Sequence, residues 1–318
     1  MDRQIRRPRR RRLCRILPRK RKWLDQPGLE RQPGSIFHAD GRLAPGAIAL
    51  CEVQAYVYAA KQGASVLARM LGDHTQADAL SDAAERLRKR FEEKFWCPEI
   101  GTYAIALDGD KNACRVRTSN AGQVLFCGIA SQERAVHVAE VLMAPEMFSG
   151  WGVRTVAADS PRYNPMAYHN GSVWPHDNAL IALGLARYGL KRAAGAIFTG
   201  MFDAASHMDL MRFPELFCGF GRRRGTAPTL YPVACAPQAW ASAVPFALLE
   251  ACLGIVCDHQ RREICFHNPV LPRFLEEIRI GNLQLDGSSA DLRLRRNGAG
   301  TEVAILSQRG DISIRIAQ

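Results

Sequence analysis

The sequence predicts a mainly α-helical chain followed by a small C-terminal antiparallel β-module. Two periodicities carry that expectation. Over residues 47–254, helix-favouring runs rich in Ala, Leu, Glu and Arg repeat between breakers. Over residues 262–318, apolar and polar residues alternate, with short Gly- and Asn-containing turns between the runs. A third observation concerns connections. The stretches 97–118, 144–172 and 208–235 are long and rich in Gly, Pro and aromatic residues, which is where sites tend to be built.

Taken in order, the helical patterns fall at 47–71, 76–95, 119–130, 132–143, 173–188, 190–207 and 236–253, about seven helices. Gly72-Asp73 breaks the first from the second, Ser119 and Ser131 are candidate N-caps, and Gly189 is a candidate stop. Some helices are amphipathic; others, such as the one containing Ala179-Leu-Ile-Ala-Leu183, are apolar nearly all round. Three helices open on related polar and aromatic groups: Asn120-Ala-Gly-Gln, Asn170-Gly-Ser-Val-Trp-Pro and Pro237-Gln-Ala-Trp. That recurrence suggests a repeated helix-pair architecture. The strand-like runs are Glu276-Glu-Ile-Arg-Ile, Leu283-Gln-Leu, Ala290-Asp-Leu-Arg-Leu-Arg, Glu302-Val-Ala-Ile-Leu and Asp311-Ile-Ser-Ile-Arg-Ile. The expected organisation is a basic leader at 1–34, a helical domain at 35–256 and the β-module at 262–318.

The 318 residues are 47% hydrophobic and 23% charged, an ordinary globular balance. No apolar run approaches the roughly 20 residues of a membrane span. The formal charge of +12 is local: residues 1–22 hold ten Arg and two Lys against Asp2, a net of +11. The remainder carries 31 basic and 30 acidic groups, so its net charge is only +1. A basic arm for nucleic acid is one reading of the leader. Charge alone gives it little specificity, and no aromatic residue is interleaved before Trp23, so no specific nucleic-acid partner is expected. The ten cysteines show no C-x-x-C pair and sit mostly in apolar segments, as in Leu125-Phe-Cys127. They are expected to be reduced thiols in a cytoplasmic protein, with no metal site and no cofactor.

The chemistry-bearing clusters combine Trp, Tyr, His, Asn and carboxylate. Aromatic rings stack on the apolar faces of sugars, while amides and carboxylates accept hydroxyl hydrogens. The first cluster runs from Tyr163 to Asn178 and places Trp174 and Pro175 in the first turn of a helix, with His169, Asn170, His176 and Asp177 near its positive end. The second, Arg212-Phe-Pro-Glu-Leu-Phe-Cys-Gly-Phe220, sets Glu215 among apolar neighbours. Such a carboxylate is either salt-bridged or tuned for proton transfer. The third, Tyr231-Pro-Val-Ala-Cys-Ala-Pro-Gln-Ala-Trp240, opens the last helix and offers Gln238 and Trp240. Trp151 lies in Ser149-Gly-Trp-Gly, which lacks the strand–turn–helix context of a nucleophile elbow, and is counted with the sugar-binding aromatics.

These clusters, with Ser35-Ile-Phe-His-Ala-Asp-Gly and Ile48-Ala-Leu-Cys-Glu-Val-Gln-Ala-Tyr-Val-Tyr-Ala-Ala60, resemble bacterial amylo-α-1,6-glucosidase and glycogen-debranching-type proteins. The resemblance runs from about residue 35 onward. It implies a partial (α/α)6 toroid, because a full toroid has twelve helices and this chain offers about seven. It also implies an inverting glycosidase acting on α-glucosidic linkages of an α-glucan or oligosaccharide. The family's general base matches Glu215; of the carboxylates near the expected acid, Asp40 reads as a turn residue before Gly41 and Glu52 as an inner-helix residue for binding sugar hydroxyls. The family's acid should lie just before Ser35, in a pattern like Gly-Trp-Lys-Asp-Ser-Trp-Asp-Ser-Ile. Here the chain reads Gly28-Leu-Glu-Arg-Gln-Pro-Gly-Ser-Ile36, with Arg31 and Gly34 in place of the two aspartates. The abrupt onset after an Arg/Pro-rich stretch suggests a change of reading frame. The alternative is a non-catalytic carbohydrate-binding remnant that keeps the aromatic cluster.

Overall fold

The computed structural model describes residues 34–298 and 300–317. The basic leader as far as residue 33, including Arg31, lies outside the described residues. The chain forms two compact units that divide between Val116 and Arg117.

In the first unit, the opening helix starts later than its periodicity suggests because Ala49–Leu50 form a strand, β1. Helix α1 then spans Cys51–Met70 and α2 spans His74–Phe95. The turn between them contains Gly72 at positive φ, and Asp73 caps α2 by accepting a hydrogen bond from Gln76 N at 2.9 Å. Short strands β2 (Trp96–Cys97) and β3 (Thr102–Tyr103) make a hairpin. Strands β4 (Ala106–Leu107) and β5 (Ala113–Cys114) extend β1 into the order β1-β4-β5. Phe91, Phe95 and Tyr103 stack at the centre of this unit, with neighbouring ring centroids 4.8–4.9 Å apart.

In the second unit, α3 (Asn120–Cys127), α5 (Pro175–Arg187) and α8 (Val244–Leu253) pack side by side. Helices α4 (Gln132–Met143) and α6 (Lys191–Ala205) lie against them, and α7 (Ala239–Ser242) precedes α8. The contact of α3 with α5 is close because glycines face it from both sides. A Cβ on Gly184 would lie 2.6 Å from the Phe126 nitrogen, and one on Gly122 would overlap Ile181. Ser131 caps α4 as its sequence suggests, accepting from Arg134 N at 3.3 Å, whereas Ser119 precedes α3 in an αR conformation without a capping hydrogen bond. Gly189 stops α5 at φ +76°. The last helix is split where one was expected. Pro245 has no N–H to offer the carbonyl of Ala241, and the chain divides into α7 and α8 at Ala243.

The β-module belongs to this second unit. Strands β8 (Glu277–Leu285), β9 (Ser288–Asn297) and β10 (Gly300–Arg309) form an antiparallel meander. A second sheet has the order β11-β7-β6, from β6 (Ile255–Asp258), β7 (Glu263–His267) and β11 (Ser313–Ala317). The purely antiparallel expectation needs correction, because β11 runs parallel to β7. Alternation fixes which residues face the core but not strand direction. Ile264, Phe266, Leu292, Leu294 and Ile312 share one core with Leu253 from the end of α8. Lys191 ties the same corner: its Nζ donates to the carbonyls of Cys252 at 3.1 Å and His267 at 2.8 Å.

Candidate active site

The long connections of the second unit are stitched together before any functional side chain is placed. Isolated antiparallel bridges join Arg154 to Val173, Val173 to Phe217 and Phe217 to Leu230. The buried Arg154 guanidinium donates to the carbonyls of Gly219 (2.6 Å), Pro145 (2.9 Å) and Glu146 (3.2 Å). Asn178, one turn into α5, clamps the same region. Its Oδ1 accepts from Val153 N at 2.7 Å, and its Nδ2 donates to the carbonyls of Val153 and Trp174, each at 3.0 Å. A rigid frame thus forms behind the start of α5.

Glu215 sits on this frame, two residues before the bridge residue Phe217. Its backbone N–H donates to the Cys235 carbonyl at 2.8 Å. Its carboxylate is held by neutral donors: the Tyr168 hydroxyl at 2.6 Å on Oε1, and Cys235 N at 3.4 Å on Oε2. These donors are neutral hydrogen-bonding groups rather than the cation of a salt bridge. Burial raises the Tyr168 phenol well above its ordinary value, and the Glu215 carboxylate reinforces the shift. Tyr168 therefore stays a proton donor to Glu215 across the physiological range.

Rings surround this pair. Tyr168 meets Trp174 edge-on at 4.9 Å, His169 at 4.7 Å and Tyr231 at 5.8 Å. Trp174 is buried, its indole N–H donating to Ser172 Oγ at 2.9 Å and to the Tyr168 carbonyl at 3.2 Å. His176 stacks on Trp240 with centroids 4.1 Å apart and planes 14° from parallel. Trp240 keeps 49% of its surface exposed, so one side of this stack is open to a ligand. Partial burial lowers the pKa of His169, and the Glu215 charge opposes it. Burial lowers that of His176 too, with Asp177 and Glu215 both opposing. His176 Nδ1 and Gln238 Oε1 are buried without a hydrogen-bond partner.

Asp177 points to α3. Its Oδ1 accepts from Gln123 Nε2 at 2.6 Å. Burial raises its pKa, against the hydrogen bonds from Ser119 and Gln123 and the charge of His176. Its role in this arrangement is to join the start of α5 to the start of α3.

The structure therefore brings His169, Trp174, His176, Glu215 and Trp240 into one aromatic cluster, with Asp177 and Gln238 at its helix starts. The Asn170 carbonyl accepts from Asn164 N at 2.8 Å, closing the turn that delivers His169. Trp151 is committed to other neighbours: it is buried, with Arg222 over its ring at 4.4 Å and His207 at its edge. Glu52 lies in the first turn of α1, in the first unit. Sequence reasoning missed Tyr168, the nearest donor to Glu215, and the Gln123–Asp177 link. Tyr168 was visible as the residue before His169-Asn170, but nothing local pairs it with a glutamate 47 positions away.

Residues 34–218, more than half of the chain, match the family model of the mannosylglycerate hydrolase MGH1-like glycoside hydrolase domain. No curated protein matches the chain. Among solved structures, it resembles GH63 mannosylglycerate hydrolase from Thermus thermophilus in complex with glucose, at 21% identity and a TM-score of 0.51, over 64% of this chain and 45% of that one. It also resembles the GH78 family rhamnosidase of Bacillus sp. GL1, at 18% identity and a TM-score of 0.61, over 88% and 27%. Neutral trehalase from Saccharomyces cerevisiae matches at 16% identity and a TM-score of 0.50, over 64% and 38%. These likenesses are of fold. The chain spans less than half the length of each. Among the described residues, no helix is long and apolar enough to cross a membrane.

Proposed function

The chain belongs to the MGH1-like glycoside hydrolase family, and from that premise we propose that it carries the general-base half of an inverting glycosidase site acting on α-glucosidic linkages. The proposed frame is a partial (α/α)6 toroid over residues 35–256 with the β-module at 262–318. The observation that carries the reading is Glu215 held by the Tyr168 hydroxyl at 2.6 Å beside the open His176–Trp240 stack. An inverting site needs one carboxylate to activate water and a second group to protonate the leaving oxygen. In this reading Glu215 is the base, Trp174 and Trp240 bound the sugar, and His169, Asn170, His176, Asp177 and Gln238 contribute to binding. Trp151 supports the frame. The described thiols are all free, which suits the reducing cytoplasm we assign to the protein.

The amylo-α-1,6-glucosidase resemblance favours an α-glucan as substrate; the family's own name raises mannosylglycerate as the competing one. A second reading, a carbohydrate-binding remnant without turnover, is favoured by the sequence itself, since Arg31 and Gly34 stand where the resemblance places the acid. An activated substrate separates the two. α-Glucosyl fluoride needs little protonation of its leaving group. It should be hydrolysed slowly by this chain while unactivated glucosides are not, and Glu215→Gln should cut fluoride release by about 10²–10⁴-fold. Trp240→Ala should weaken malto-oligosaccharide binding by calorimetry. Sugar binding without fluoride release selects the remnant. Full turnover of plain glucosides, or an unaffected Glu215→Gln variant, defeats the assignment of Glu215.

A further inference from the structure

His176 stands second in α5, after Pro175 and the cap residue Trp174. Its ring lies between two indoles, stacked on Trp240 at 4.1 Å and meeting Trp174 edge-on at 5.6 Å. The two ring nitrogens have unlike surroundings. Nδ1 is buried without a hydrogen-bond partner. Gln238 Oε1, on the run that carries Trp240, is buried and equally unpartnered, so the two do not meet. Nε2 has no partner among the described residues either, but it is not enclosed, and the ring that carries it rests on an indole 49% exposed. Where the proton sits follows from these surroundings. A neutral imidazole has one N–H and one lone pair. At Nδ1 an N–H would be a buried donor with no acceptor, whereas at Nε2 it is satisfied from outside. Nδ1 is also the nitrogen closer to the backbone, at the end of α5 where N–H groups are unpaired, and that positive end favours a lone pair over an N–H. Imidazolium would carry an N–H on both atoms and meet the same penalties. Asp177 and Glu215, the two carboxylates that act on the ring, favour the cation, but burial outweighs them.

We propose that His176 is a specificity-determining residue of the sugar site, a neutral imidazole fixed in the Nε2–H form that donates its one hydrogen bond to a hydroxyl oxygen of the sugar lying against Trp240. The inference rests on the sugar-site reading of this cluster and divides the labour within it. Trp240 offers a flat apolar surface, which accepts any sugar ring with an apolar face. His176 adds a directional donor at the edge of that surface, so it distinguishes sugars by where a hydroxyl stands. Because its Nδ1 has no acceptor, the ring cannot exchange roles and offer a lone pair at Nε2 without orphaning a buried N–H. A ligand with no oxygen at that place leaves the donor unpaired in the complex.

Long-range ¹H–¹⁵N correlation on the full chain with ¹⁵N-labelled histidine, at neutral pH, reads the tautomer without any sugar. Of the eight histidines, the one whose signals disappear in His176→Phe should show a protonated Nε2 and a bare Nδ1. Calorimetry with maltose and its monodeoxy derivatives reads the contact. One derivative should bind the wild-type chain about threefold to tenfold more weakly than maltose, the size of one neutral hydrogen bond. That comparison needs no variant. His176→Phe keeps a ring on Trp240 and loses the donor, so it should bind maltose and that derivative equally. A proton on Nδ1, an imidazolium, or a variant that still discriminates the same derivative overturns the inference. So does a wild-type chain that binds every derivative as it binds maltose. If Trp240→Ala weakens maltose binding and His176→Phe does not, this inference falls and the sugar-site reading stands. If maltose does not bind at all, both fall.

Discussion

At the scale of single residues, the site is a matter of which donor meets which acceptor. The Tyr168 phenol lies above its ordinary value of 10.0, first through burial and then through its hydrogen bond to Glu215. In an absorbance titration of the seven tyrosines, one should ionise after the rest, and Tyr168→Phe should remove that late step. Glu215→Gln should move the step down without restoring the ordinary value, because burial, the larger cause, remains. The sign for stability follows. The neutral phenol is favoured in the folded state, so its contribution is full below pH 10.0 and is lost as pH rises beyond it. Sequence alone made most of this site legible, since Trp174, His176, Glu215 and Trp240 each stand in a dense polar and aromatic run. It hid what depends on long-range placement. Trp151 and Trp240 look equally good as sugar platforms in sequence, yet one is covered by Arg222 and the other stays open.

Among elements, glycines distinguish helix faces that touch from those that do not. Gly184 on α5 lets the chain come within reach of Phe126 on α3, and the backbone there has nowhere to move. Gly184→Ala should destabilise the protein by about 1–3 kcal/mol through overpacking. Gly195 on α6 has open space where its Cβ would go. Gly195→Ala should stabilise by about 0.5–1 kcal/mol, since the helix keeps its geometry and the unfolded chain loses freedom. Differential scanning fluorimetry should show shifts of opposite sign, about 2–4 °C per kcal/mol for a chain of this order of size. Periodicity was enough to find the α-helices, the last of them as one rather than two, and four of the eleven described strands, β8 to β11, because amphipathic runs bounded by Gly, Ser and Pro are local signals. It placed 132–143 to the residue. It could not foresee that Ala49–Leu50 pair with Ala106–Leu107, nor that 255–258 forms a strand beside 263–267, because pairing partners are set by the fold.

For the molecule as a whole, the end of α8 and the β-module of the second unit share one core. Leu249 and Leu253 of α8 pack into the same core as Phe266, Leu285 and Leu292. Phe266→Ala should therefore cost about 3–5 kcal/mol and lower the melting of helical and β signals together. Separate midpoints for the two signals in circular dichroism would refute a shared core. The parallel seam between β7 and β11 has a consequence for how the protein is made. One edge of β7 pairs at once with β6, but the other waits for Ser313–Ala317, about 45 residues further along the chain. At the usual synthesis rate of roughly 5–20 residues per second, that edge stays bare for on the order of 2–9 s on each ribosome. Unpaired strand edges capture one another, so neighbouring nascent chains on one message are each other's main hazard during that interval. Slowing elongation between codons 268 and 313 should lower soluble yield without any change of amino acid.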